Sequence, residues 1–193
     1  LAEINHVPVV FGSWASSSVL AQAPIANQQK IVVMCQGISP EVRNAGDFIF
    51  RMLPDGSAYM NLLVPYAIKK TNLKTALIMY VNNDFGVGLT DSAEQLLKQA
   101  GISKITRQPF VQGETNFRTQ LTLAKAQKPE AIFIFSYDEA GNILKQAAEL
   151  GVKSAFFASG TFENPNILKV AGDAVNGVVY PYHVDLDSPL PAY

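Results

Sequence analysis

Three observations predict a doubly wound α/β protein with mostly parallel sheets. First, the apolar, β-branched runs 75–81 (TALIMYV) and 131–136 (AIFIFS) are continuous rather than alternating; such runs suit strands covered on both faces. Second, the segments between them carry apolar residues at helical spacing. Third, the two kinds alternate along the chain, the pattern of repeated βα units. At 48% hydrophobic and 16% charged, the 193 residues can bury a sizeable core and do not read as disordered.

Taken in order, residues 7–11 read as a strand, 16–29 as a helix kinked at Pro24, 31–35 (IVVMC) as a strand and 47–52 (DFIFRM) as a short one. Pro54-Asp55-Gly56 is a turn signal, and the boundary between two α/β units is placed there. After strand 75–81, Leu89, Ala93, Leu96, Leu97 and Ala100 form one helical stripe, which Gly101 ends. A weaker strand follows at 105–110. Phe117, Leu121 and Ala124 mark a helix terminated by Pro129. Strand 131–136 leads into helix 138–150, with its stripe of Ala140, Ile143, Leu144, Ala147 and Ala148 and a stop at Gly151. Residues 154–158 (SAFFA) and 177–182 (GVVYPY) are read as further strands. The first unit has too few elements to close a core of its own. With no initiator Met, no signal-like start and no closing element, the chain is expected to be part of a longer one. Its first unit, residues 1–54, is expected to expose apolar surface and to self-associate or be partly disordered.

Several functions are disfavoured. Net charge is −1 and the pI near 6.1, so nucleic acid and anionic membranes are not expected partners. No apolar run approaches the ~18 residues of a membrane span. The one cysteine, Cys35, lies in an apolar run and reads as a buried structural thiol. No His or Cys pair stands at metal spacing, and His6 and His183 lie near the ends. Gly86-Val87-Gly88 is the best dinucleotide candidate. Four residues separate it from its strand, Asp91 takes the third glycine position, and the next strand ends without an acid. No P-loop occurs. Asp138-Glu139, at a helix start, reads as complementing the helix dipole. No catalytic machinery and no cofactor emerge.

The loops at strand ends are more informative. Ser16-Ser17-Ser18 follows a strand and opens a helix. One reading is an N-cap. The other is an anion site, where free N–H groups, hydroxyls and the positive helix end converge on a carboxylate, with a dipole contribution of ~0.3–1 kcal/mol when exposed. Gly37-Ile38-Ser39 closes the next strand. Asn83, Phe85, Tyr137, Ser159, Gly160 and Thr161 follow strands of the second unit. Ligands of open α/β sheets collect at strand carboxyl ends, so two such sets imply a cleft between lobes.

These residues resemble the type I periplasmic solute-binding proteins of the leucine/isoleucine/valine-binding kind. The matching segments are SWASSSVLAQAPIA (13–26), GISPEV (37–42), GDFIFRMLPDG (46–56), NNDFGVGL (82–89), GETNFRTQL (113–121), YDEAGNILKQAAELG (137–151) and AGDAVNGVVY (171–180). The resemblance implies the type I periplasmic-binding-protein fold: residues 1–54 as an incomplete first lobe, 55–183 as the second lobe and 184–193 as the start of the crossover back. It implies no enzyme but an exported protein, in the periplasm or on the cell surface, that captures a small ligand for an ABC permease. A ligand-sensing domain of the same fold is the alternative, a nucleotide-dependent α/β enzyme the more distant one. Ser16, Ser17 and their neighbours would hold a ligand carboxylate. Gly37-Ile38-Ser39 replaces an Ala/Gly-Thr-Ser loop and lacks its Thr hydroxyl. Phe85 and Tyr137 match pocket aromatics, and Trp14 and Ile38 add apolar surface. Where amino-acid binders often carry an acid for the α-ammonium, this chain has Ser159-Gly160-Thr161, with Glu163 slightly further on. Either Glu163 reaches in or the ligand has no ammonium, and the reading leans to the latter. The expected ligand is a branched-chain or other apolar amino acid, or a related aliphatic or aromatic carboxylic acid.

Overall fold

The computed structural model describes Ile4 and residues 6–182; His183 and the expected crossover at 184–193 lie outside them. Two parallel sheets are present. The first has the order β1-β2-β3, from β1 (Val9–Phe11), β2 (Val32–Cys35) and β3 (Ile49–Arg51). The second has the order β5-β4-β6-β7, from β4 (Thr75–Val81), β5 (Lys104–Phe110), β6 (Ala131–Phe135) and β7 (Ala155–Ala158). Every ladder among the described residues is parallel, and none joins the two sheets.

Helix α1 (Ser16–Gln29) connects β1 to β2 and runs through Pro24 on its exposed side. Helices α3 (Asp84–Gln99), α4 (Arg118–Gln127) and α5 (Glu139–Leu150) are the connections inside the second sheet. Most of their stripes read from sequence are buried: Leu89, Ala93, Leu97, Leu121, Ala124, Ile143, Leu144 and Ala147 are inside, whereas Leu96 is half-buried and Ala100 and Ala148, at or near the helix ends, are exposed. Gly151 takes φ 68°, the left-handed stop expected of it.

Among the described residues, the α-helices at 56–71 and 165–171 escaped the sequence reading. In α2 (Gly56–Thr71), Tyr59, Met60, Leu63, Val64 and Ala67 form a buried stripe. Pro65 sits inside it at an exposed position, where the loss of one helical hydrogen bond is least costly, and it disguises an otherwise ordinary amphipathic helix. Asp55 caps α2, accepting the Ser57 N–H at 2.8 Å, so the turn signal at 54–56 is also a helix start. The seven-residue α6 (Pro165–Ala171) begins at the Asn164 cap.

Three other expectations need correction. Residues 177–182 form no strand. Only Val179 bridges Phe157, because Gly177 turns at φ 87° and Pro181 has no N–H to extend a ladder. The supposedly weak strand at 105–110 is the seven-residue edge strand β5, whose half-exposed positions blurred its pattern. Glu139 does sit in the first turn of α5, but it is buried and accepts N–H bonds from Gly113 (2.8 Å) and Tyr137 (2.9 Å), fastening two loops.

The main core surrounds the second sheet, with Phe133 stacked on Phe157 at 5.4 Å between ring centroids. The first sheet has a small core of Val19, Ala26, Val33, Cys35 and Val42. Burial raises the Cys35 thiol above its ordinary pKa, against the Gly37 backbone hydrogen bond and Arg51, so it stays a neutral apolar group. The other face of this sheet is open. Phe11 pairs in register with Met34, and Met34 with Phe50, while Phe11 and Phe50 remain 76% and 52% exposed. Contiguous apolar surface of this kind seeks a cover. The 193-residue chain is therefore expected to associate with increasing concentration in light scattering, and Phe11→Ser with Phe50→Ser to abolish it. A monomer at every concentration would contradict this.

Candidate functional site

In the second sheet the order reverses around β4, with β5 on one side and β6 on the other. The crevice at such a switch point, at the strand carboxyl ends, is where open α/β sheets hold ligands. Asn83 and Phe85 follow β4 there, and Tyr137 follows β6. The carboxyl ends of β1 and β2 face them. Between the two sheets lies an open cavity of about 400 Å³, the size of a small-molecule site.

One wall comes from the first sheet. Trp14, in the β1–α1 loop, places its ring 4.9 Å from that of Tyr137, which stacks on Phe85 at 5.0 Å. Ser16 is the first residue of α1 and is buried against the cavity. It does not cap the helix: Ala15 holds that position, with no side-chain cap bond. The Ser16 Oγ instead accepts the Ser39 N–H at 3.1 Å, which leaves the hydroxyl proton free to donate. Ile38 lines the same wall, but Ser39 is fully buried behind it, and neither Ser17 nor Gly37 lines the cavity. Gly37 has a packing role instead. A Cβ there would stand 3.0 Å from the Ser16 Cα, so glycine lets the loop cross the start of α1.

The opposite wall carries Gly160, Thr161 and Glu163. Thr161 donates its hydroxyl to the Ser136 carbonyl at 2.6 Å. Having one proton, it must accept in its 2.7 Å contact with Ser159, so toward the cavity it offers only a lone pair. Glu163 is the one charged residue among the described lining residues. Burial, then the Glu163 carboxylate, raise the Tyr180 hydroxyl, which stays protonated. Burial likewise raises Tyr137, outweighing the Asn83 hydrogen bond that lowers it. Ser16 therefore offers the cavity a donor, and Thr161 and Glu163 across from it offer acceptors, with an aromatic ladder between.

Sequence reasoning missed Gln36, Leu53, Tyr59, Asn164, Pro165 and Tyr182, which also line the cavity. Tyr59 rides on the unread helix α2, and Asn164 and Pro165 start the unread α6. Gln36 directly precedes Gly37, and its place in the strand-end loop was the available signal.

Two parallel-sheet units facing each other across a ligand-sized cleft, with polar groups converging from both, define a cleft-type binding protein. A family profile for the periplasmic binding protein matches residues 1–192, and the chain belongs to that family, one of binding proteins rather than enzymes. The leucine-specific-binding protein of Salmonella typhimurium is 26% identical over 190 residues, 95% of this chain and 51% of that protein. A leucine-binding protein of Thermotoga maritima superposes with a TM-score of 0.90 at 25% identity, covering 98% of this chain and 55% of that one. A solute-binding protein from R. palustris, solved in complex with benzoate, reaches a TM-score of 0.85 at 17% identity over 97% of this chain and 53% of that one. The chain spans about half the length of the curated relatives it matches. No helix among the described residues is long and apolar enough to cross a membrane.

Proposed function

We propose that this chain supplies the gripping surfaces of an exported solute-binding protein that captures a small carboxylate and delivers it to an ABC permease. The observation that carries this is the polarity of the cleft. Ser16, at the start of α1, has a free proton to donate, while Thr161 and Glu163 across the cavity can only accept. A carboxylate belongs at the first wall, and a donor such as an ammonium at the second. That combination fits an apolar α-amino acid, and the leucine-binding names of the relatives support it. Residues 1–54 and 55–183 would then act as parts of two lobes closing on the ligand.

A second reading rests on the ladder of Trp14, Tyr137 and Phe85, which suits a flat ring, and on the benzoate complex of the R. palustris neighbour. Glu163 is exposed in the open cleft, so a ligand without an ammonium leaves no buried charge unpaired. Calorimetry with leucine, phenylalanine, 4-methylpentanoate and benzoate separates the two. If leucine leads 4-methylpentanoate by about tenfold, or ~1.4 kcal/mol, the ligand needs its ammonium. That lead should vanish in Glu163→Gln. Equal or tighter binding of the simple acids would establish the second reading, and binding of none of the four would remove the proposal.

A further inference from the structure

No cationic side chain lines the cavity among the described residues, yet its donor wall is built for an anion. The positive potential must come from backbone, and the hydrogen bonds behind Ser16 lead to a second helix. The Ile38–Ser39 peptide group is held at both ends. Its N–H donates to the Ser16 Oγ at 3.1 Å, and its carbonyl accepts the N–H of Gly56, the first residue of α2, at 2.8 Å. Each bond in such a chain polarises the next, and α2 presents its positive end to the far side of the peptide.

The surroundings fix this peptide in place. A Cβ on Gly56 would stand 2.7 Å from the Ile38 oxygen, so only glycine permits the approach. Arg51 donates from one nitrogen to the Ser39 carbonyl at 3.3 Å and from the other to Asp55 at 2.9 Å. The Ser39 hydroxyl is tied to Glu41 at 2.8 Å. The loop has no slack in which Ser39 could turn away from Ser16.

We propose that the Ile38–Ser39 peptide is a hydrogen-bond relay that carries the positive end of α2 to the Ser16 hydroxyl, and that Arg51 and Gly56 are positioning residues for ligand carboxylate binding. This rests on the carboxylate-capture reading above. Arg51 and Gly56 do not touch the ligand; they act through Ser16. The relay runs through residues 52–56, the connection from β3 to α2, to the donor side of the cavity.

A double-mutant cycle tests it. Affinity is measured by calorimetry on the full chain, with whichever of leucine, phenylalanine and benzoate the unmodified protein binds most tightly. Ser16→Ala and Arg51→Met are each expected to weaken binding about tenfold, and the double variant to lose no more than threefold beyond Ser16→Ala alone, because both remove the same interaction. A positioning role independent of Ser16 would give additive losses, near a hundredfold, and overturn the relay. So would an Arg51→Met protein with unchanged affinity. If Arg51→Met does not fold by circular dichroism, Gly56→Ala takes its place in the same cycle with the same two outcomes. An unmodified protein that binds none of the three ligands defeats the capture reading itself, a result distinct from additivity in a protein that does bind.

Discussion

Asp55→Ala is expected to lower stability by about 3–5 kcal/mol, because it strips the partner from a mostly buried charge and removes a helix cap together. Asp55 is buried and accepts from Arg43 at 2.8 Å, Arg51 at 2.9 Å, and both the N–H and hydroxyl of Ser57 at 2.8 and 2.7 Å. Arg43 would return to water without much loss, but Arg51, with its side chain 15% exposed, would be left with a charge it cannot hydrate. Burial pushes the Asp55 carboxyl up, yet the two Ser57 bonds and the two arginines together hold it below its ordinary value. A carboxylate whose folded pKa is depressed contributes fully above its unfolded pKa of about 3.9, and that contribution fades as pH falls through the folded value. Acid titration of the unfolding midpoint should therefore show a drop below about pH 4 that Asp55→Asn removes. A variant as stable as the parent at pH 7 would show that the arginines find other partners.

Gly86→Ala should cost about 3 kcal/mol, at the upper end of what overpacking usually does. A Cβ at Gly86 would lie 2.0 Å from the Val81 carbonyl oxygen, at the end of the buried central strand β4. Neither side can yield easily. Gly86 is anchored by the Asn83 cap at 3.1 Å and by Thr90, whose hydroxyl donates to its carbonyl at 2.7 Å. In thermal unfolding the loss corresponds to a midpoint lowered by roughly 6–12 °C. Gly101→Ala serves as the comparison. Its Cβ would meet nothing within 4 Å, and only the positive φ of 83° is strained, so about 1–2 kcal/mol is expected. Similar losses at the two positions would mean that helix α3 shifts to accept the methyl. The same clash explains the Gly-Val-Gly segment that resembles a dinucleotide fingerprint: Gly86 lets α3 start hard against its strand, and no phosphate site need be invoked.

Local pattern was enough to read most of the second sheet. Thr75–Val81 and the run at β6 could be recognised because a strand covered on both faces is apolar at every position. Helices α3 and α5 showed themselves through stripes at 3.6-residue spacing and glycine stops. Where local pattern was diluted, the reading failed. Pro65 masked α2, and three apolar residues in a row at 178–180 passed for a strand that Pro181 and the turn at Gly177 prevent.

The strand-end loops, and so the neighbourhood of the cleft, were determined by sequence alone, since each follows directly from where a strand stops. What each side chain does there was decided only by tertiary structure. That Ser16 accepts from Ser39 rather than capping α1 depends on a contact between residues 23 positions apart. The acceptor character of Thr161 depends on the Ser136 carbonyl, 25 positions away in the loop that follows β6. Tyr59 and Gln36 reach the cavity because the two sheets face each other across it. Periodicity reports which side of an element is apolar. It carries no information about which distant backbone group satisfies a buried hydroxyl, and that pairing is what leaves Ser16 a donor and Thr161 an acceptor toward the cavity.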